Sequence, residues 1–319
     1  MRVAFAGKGG SGKTTLASLF IRHLAGQGLP VVAIDADINQ HLAEALGAGQ
    51  DPPAIGAHLT QIKDYLRASN PRIRSAAAMV KTTPPGRGSR LLRVGGDDPV
   101  HDLAITTACG ARLMATGPFS DDDIGVACYH SKTGAVELYL NHLIDFPGEY
   151  VVVDCTAGAE SFASGLFTRF DLTFLIVEPT RKSLHVYRQW ASYAADYHVP
   201  LAVIGNKTQG DADVAFLREH AGTNLLTCFS HLLALRAIEQ GRPFSLQDTG
   251  QQAHAALALL QHAVDAQVKD WETFTRQATE FHLKNARAWA NSATGQDLST
   301  QVDPEFIMGS QLMNSTTLR

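Results

Sequence analysis

The sequence predicts an α/β fold with a mostly parallel sheet flanked by helices on both faces, and three observations carry that expectation. Strand-like runs such as PVVAIDAD and EYVVVDCTAG are apolar without alternation, as strands buried on both faces must be. Each is followed by a segment with apolar residues at helical spacing, the strand–helix alternation of a parallel sheet. A glycine-rich loop joins the first strand to the first helix.

In chain order, Val3 to Ala6 reads as a buried strand, Gly7 to Gly12 as a loop, and Lys13 to Ala25 as a helix. That helix places Leu16, Leu19, Phe20 and Leu24 at helical spacing and closes at Gln27-Gly28. PVVAIDAD (30–37) is the second strand and ends in acids. An insert at about 50–115 is less regular, with a helix near 56–68 and an exposed turn at TTPPGRGSR; ARLMATGP at its end is a further strand. EYVVVDCTAG (149–158), LTFLIVEPT (172–180) and PLAVIGNKTQG (200–210) complete the expected strands. From 251 to 290 the pattern is helical, with Leu257, Leu260, Val264, Val268, Trp271 and Phe274 recurring. Residues 291–319, rich in Ser, Thr, Gln and Asn, read as a flexible tail. The expected organisation is one large α/β domain over 1–250, a helical extension over 251–290, and the tail, without internal repeats.

Composition narrows the function classes. With 319 residues, 45% hydrophobic and 18% charged residues and a formal net charge of −4, the chain shows no strongly basic balance for nucleic acid or anionic lipid. Its lysines and arginines read as dispersed, and the polar end EFIMGSQLMNSTTLR lacks the character of an amphipathic membrane anchor. The opening apolar run of about five residues is too short for a signal peptide, and no run approaches the roughly 18 residues of a spanning helix. A cytoplasmic protein without nucleic-acid partner or membrane insertion is expected. Four cysteines (Cys109, Cys128, Cys155, Cys228) are too sparse for a disulfide framework.

Gly7-Lys8-Gly9-Gly10-Ser11-Gly12-Lys13-Thr14 fits the G-x-x-x-x-G-K-S/T phosphate loop, and it lies between a strand and a helix as that loop requires. Gly9, Gly10, Ser11, Gly12 and Thr15 bring backbone N–H groups and a helix start toward phosphate oxygens. Lys13 adds charge at the β- and γ-phosphates of a nucleotide, and the Thr14 hydroxyl is placed for Mg²⁺. Lys8 is a second lysine that holding phosphate does not require.

KGGSGKTT resembles the deviant Walker A motif of the MinD/ParA-like ATPases, which include the nitrogenase iron protein. The resemblance implies a P-loop NTPase that forms a homodimer on binding ATP, with Lys8 reaching the partner's nucleotide across the interface. It further implies Asp37 as the residue that positions attacking water, Asp35 as support for the metal shell or loop, and Asp154 as the Mg²⁺ acid of VVVDCTAG. Gly158 would offer its N–H to the γ-phosphate, and Asn206, with Lys207 alongside in IGNK, would read the adenine edge.

Within that family, DDDIGVACYHSKTGAVELYLNHLID (121–145), VVVDCTAGAE and VEPTRKSL resemble the nickel-insertion ATPases of carbon monoxide dehydrogenase maturation, the CooC type. Those proteins carry Cys-x-Cys where this chain has Cys128-Tyr129-His130. Two copies of Cys128 and His130 would supply two thiolates and two imidazoles, a tetrahedral set suited to Zn²⁺ or Ni²⁺. The resemblance thus implies an accessory ATPase for metallocentre assembly with a client protein. Two alternatives stay open: a metal-free regulatory or scaffolding switch that recruits a partner, and an ATP-gated electron donor. The second is short of ligands, because the second cluster cysteine of the nitrogenase iron protein falls at Ser161.

Overall fold

The computed structural model describes residues 1–118, 130–158, 160–230 and 244–309, without the side chains of residues 130, 131, 160 and 161. Its strands are β1 (Arg2–Gly7), β2 (Val31–Ala36), β3 (Leu92–Arg93), β4 (Ile105–Thr106), β5 (Arg112–Ala115), β6 (Leu143–Ile144), β7 (Tyr150–Cys155), β8 (Leu172–Val177), β9 (Leu201–Thr208) and β10 (Leu225–Ser230). Its α-helices are α1 (Lys13–Ala25), the short α2 (Leu42–Ala45), α3 (Leu59–Arg67), α4 (His130–His142), α5 (Arg181–Asp196), α6 (Asp211–Ala221), α7 (Gln251–Asp265), α8 (Trp271–Asn285) and the short α9 (Asn291–Thr294).

Eight strands form one sheet in the order β10-β9-β8-β1-β7-β2-β5-β4, parallel except for the terminal β4–β5 pair. The unbroken apolar runs explain the layering. Along β1, Val3 and Phe5 enter one hydrophobic core while Ala4 and Ala6 enter the other, because successive side chains point to opposite faces. The first core is closed by α1, α2 and α7; the second by α4, α5 and the insert. Parallel register sets β1 beside β7 and β8, so the loop after β1 opens between the ends of its neighbours.

Two features differ from the sequence reading, the 291–309 segment and the spread of the basic residues. The helical pattern over 251–290 is carried by α7 and α8: Asp270 caps α8 by accepting from the Thr273 N–H at 2.9 Å, and Val268 in the connection is 90% exposed. Residues 291–309 are no loose tail: Leu298, Phe306 and Met308 are buried, and Asp303 accepts two hydrogen bonds from the Arg87 guanidinium at 2.8 and 3.1 Å. A few apolar side chains and one bidentate pair fasten this polar segment. The insert runs mostly through short 3₁₀ turns and two-residue strands, with α3 as its one regular helix among the described residues. The basic residues are also less dispersed than they read, since 65–96 holds seven lysines and arginines and no acid; Arg72 and Arg87 there lie against Asp303.

Among the described residues, no helix is long and apolar enough to cross a membrane.

Candidate nucleotide site

The loop after β1 owes its path to glycines. A Cβ at Gly7 would lie 2.5 Å from the Ile176 carbonyl oxygen, and one at Gly12 would collide with the Asn206 amide. Gly10 and Gly12 have φ of 77° and 96°, a left-handed backbone open chiefly to glycine. Gly12 then caps α1, whose first-turn N–H groups have no intrahelical acceptor and face the loop. Lys13 opens that helix and is only 6% exposed; an amine so placed needs an anion.

Two buried carboxylates stand at the strand ends beside the loop. Asp35 and Asp154 are register partners of β2 and β7, so the pairing of adjacent strands sets them side by side. Burial pushes the Asp35 carboxyl up to about 7, against the pull of the Leu42 and Asp37 N–H groups that donate to it. Asp154 is held well above the usual range by burial first and by the Asp35 carboxylate second; the Thr14 hydroxyl and the Lys13 charge pull the other way. Thr14 donates to Asp154 Oδ2 at 2.5 Å, while Asp154 Oδ1 is buried without a hydrogen-bond partner. An orphaned carboxylate oxygen, a threonine hydroxyl and a second carboxylate fit Mg²⁺, which binds through one or two acids and substrate phosphates. Asp37 sits at the rim beyond Asp35 and accepts from the Asn39 N–H at 3.1 Å.

The remaining expected residues converge on the same loop. Asn206 donates to the Ser11 carbonyl at 2.7 Å. Lys207, with φ of 60°, donates to the Gly10 carbonyl at 2.6 Å and pairs with Glu178 at 3.0 Å. Lys8 has a side chain 36% exposed and lies 3.8 Å from the other Glu178 oxygen. Gly9 and Thr15 are on the same loop and first turn, and Ser11 is fully buried with an unpartnered hydroxyl. The Gly158 N–H donates to the Gly7 carbonyl at 2.9 Å, so the loop after β7 and the phosphate loop are joined directly.

Cys128 lies outside the described residues, and so does the side chain of His130, whose backbone opens α4. Among the described residues, no group of three or more His, Cys, Asp or Glu side chains gathers to hold a metal ion. Sequence reasoning missed two residues that the structure brings to the loop. Glu178 ends an apolar strand with an acid, as Asp35 nearly does, and that position was the available signal. Trp190 touches Gly158 from mid-helix and carries no short motif.

Comparison with known proteins agrees with this geometry. Residues 3–82 match the CobQ/CobB/MinD/ParA nucleotide binding domain. The carbon monoxide dehydrogenase accessory protein CooC of Rhodospirillum rubrum is 27% identical over 266 residues, covering 82% of this chain and 96% of that protein. An uncharacterized ATP-binding protein of Methanocaldococcus jannaschii is 27% identical over 214 residues, 66% of this chain and 76% of its own. Among solved structures, a ParA family ATPase from Chlorobium tepidum superposes with TM-score 0.57 at 13% identity, covering 82% of this chain and 98% of that one. MinD from the Aquifex aeolicus MinC:MinD cell division protein complex does so with TM-score 0.56 at 18% identity, covering 84% and 97%. By phosphate loop, sheet order and these matches together, the chain has a MinD/ParA-like P-loop NTPase fold, opens with a CobQ/CobB/MinD/ParA nucleotide binding domain and is similar to CooC over most of its length.

Proposed function

We propose that this protein hydrolyses ATP as a two-copy switch and serves as a CooC-like accessory ATPase in metallocentre assembly. The observation that carries the proposal is the pair of lysines on one phosphate loop: Lys13 buried at the helix start and Lys8 held outside it. Residues 1–250, with the insert at about 50–115, form the ATPase unit in this reading, and the helices after 250 extend it.

Backbone N–H groups of residues 9–14 and the Lys13 ammonium bind the β- and γ-phosphates, replacing water with fixed donors. Thr14 and Asp154 would hold Mg²⁺ with Asp35 behind them, and the ion would supply neutralisation of phosphate charge. Asp37 orients a water in line with the β–γ bond, which breaks as the water oxygen bonds to phosphorus. Lys8 of one copy stabilises the charge that develops at the other copy's phosphates, so turnover requires pairing. Cys128 and His130 of both copies would meet at that interface and hold Zn²⁺ or Ni²⁺ as cargo for a client. The near full-length similarity to CooC supports this use. The metal-free scaffolding alternative draws on the likeness to a MinD crystallised with its partner, a likeness of fold alone.

Lys8→Ala tests the proposal. ATP affinity should stay within about twofold while turnover falls about 10³-fold, the scale of a charge supplied in trans, and the ATP-dependent dimer should vanish from sedimentation profiles. Full turnover in the variant would refute the trans role. Zinc or nickel bound to the wild-type dimer and lost in Cys128→Ser would separate the metallocentre reading from the scaffold.

A further inference from the structure

Gly158 is held on both sides. Its N–H donates to Gly7, and its carbonyl accepts from the Trp190 indole N–H at 2.9 Å. Its φ of 78° lies in the left-handed region that glycine alone enters freely. Under the function proposed above, the same N–H must leave Gly7 to reach a γ-phosphate, so this peptide has two acceptors and two positions. The carbonyl belongs to the next peptide and has a fixed partner. A fully buried indole N–H needs an acceptor, and Trp190, at 0% exposure, has this one.

Trp190 stands on a firm base. The α5 helix that carries it is capped by Thr180, which accepts from the Ser183 N–H at 3.3 Å, and Ser183 Oγ accepts from the Glu178 N–H at 3.0 Å. The segment 178–190 therefore meets the phosphate loop through Glu178 and the switch glycine through Trp190. Rings continue outward. Phe162 packs on Trp190 with centroids 4.4 Å apart and on Phe167 at 4.5 Å, and Phe167 meets Phe281 of α8 at 5.6 Å. Gln277 of α8 also donates to the Tyr197 carbonyl at the end of α5, at 2.9 Å.

We infer that Trp190 is a positioning residue: it holds the Gly158 carbonyl as the Gly158 N–H turns from Gly7 to the nucleotide, and the shift of that carbonyl is carried through Trp190 and the packed rings to α8. This inference rests on the ATPase reading for its catalytic arm and not for its structural arm. Close-packed aromatic neighbours move together because separating them opens a void, which is what lets a local turn reach a helix.

Trp190→Phe keeps a ring and removes the donor. In the full-length protein, Mg-ADP affinity should stay within about twofold, kcat should fall about tenfold or more, and KM should hold within about twofold. Hydrogen exchange over 271–285 should differ between nucleotide-free and Mg-ATPγS-bound wild type, and that difference should disappear in the variant. Phe162→Leu keeps the indole bond and cuts the relay: it should retain kcat and lose the exchange difference. Wild-type kcat in Trp190→Phe, equal loss of affinity and turnover, or an exchange difference that persists in it would overturn the inference. If wild type binds nucleotide without hydrolysing it, the ATPase reading fails, and exchange alone decides on Trp190: no nucleotide-dependent change over 271–285 in wild type refutes it.

Discussion

At the carboxyl ends of β2 and β7, Asp35 and Asp154 lie side by side, buried, both pushed above the carboxylate range, one with an oxygen that nothing partners. At the amino ends of the same sheet, Asp145 is as deeply buried and is held well below that range. Burial works against its charge too, but Lys269 and Arg2 outweigh it; the Arg2 Nε lies 2.7 Å and the Lys269 ammonium 2.8 Å away. Lys269 also reaches Asp171 at 2.6 Å, and the Arg2 guanidinium lies 4.4 Å from the Phe274 ring centre. One end carries charges already matched within the chain. The other gathers two buried carboxyls beside a phosphate loop, where burial and their mutual repulsion cost stability that a bound cation would relieve. The difference locates function: scaffolding ends balance charge internally, and binding ends leave it to the ligand.

The largest effect expected from this contrast is at the balanced end. Asp145→Ala strands the Arg2 and Lys269 charges in the interior and should cost about 3–5 kcal/mol by chemical denaturation. Nucleotide affinity of the folded protein should not change. A loss of affinity in the folded fraction would mean that the two ends are coupled and the contrast is false.

Glu137 sharpens the comparison with an intermediate case. Fully buried in α4, it is pushed from 4.5 up to about 7 by burial, although Lys81 and Arg169 pull it down. A carboxyl that binds its proton more tightly folded than unfolded adds stability at low pH and loses it as pH rises from about 4.5 to 7. Glu137→Gln should therefore match wild type near pH 4.5 and exceed it above pH 7 by about 3 kcal/mol or less. His142, held down to about 4 by burial, destabilises both proteins on acidification and cancels in their difference. Equal stability of the two at pH 8 would show that Lys81 and Arg169 already balance Glu137, as Lys269 and Arg2 balance Asp145.

What was legible in the sequence follows from the same physics. Strands buried on both faces cannot alternate, so PVVAIDAD and EYVVVDCTAG declared themselves, and β2 and β7 were found within them. The phosphate loop was legible because backbone geometry forces glycine at fixed spacing. Asp35 and Asp154 were readable as strand-end acids, but their side-by-side pairing was not, because register between strands over a hundred residues apart leaves no local trace. The insert stayed opaque, since two-residue strands and single 3₁₀ turns are too short to show a period. Trp190 and Glu178 were missed because each acts on a loop far from it in sequence. The 291–309 segment misled by composition: it packs with a few apolar residues and one bidentate arginine pair.

Thermal melting of wild type and Asp154→Asn at pH 8, each without ligand, with ADP and with Mg-ADP, probes the ligand-dependent end without recourse to turnover. Wild type should melt lower without ligand, because a carboxyl raised by burial and by Asp35 costs the empty fold stability at a pH above the ordinary carboxylate range, and each kcal/mol relieved in Asp154→Asn should raise the midpoint by about 1–2 °C. Magnesium should add to the effect of ADP in wild type and add nothing in the variant. An asparagine variant that melts at or below wild type without ligand, or gains as much from magnesium, would contradict the assignment of these carboxylates to the cation.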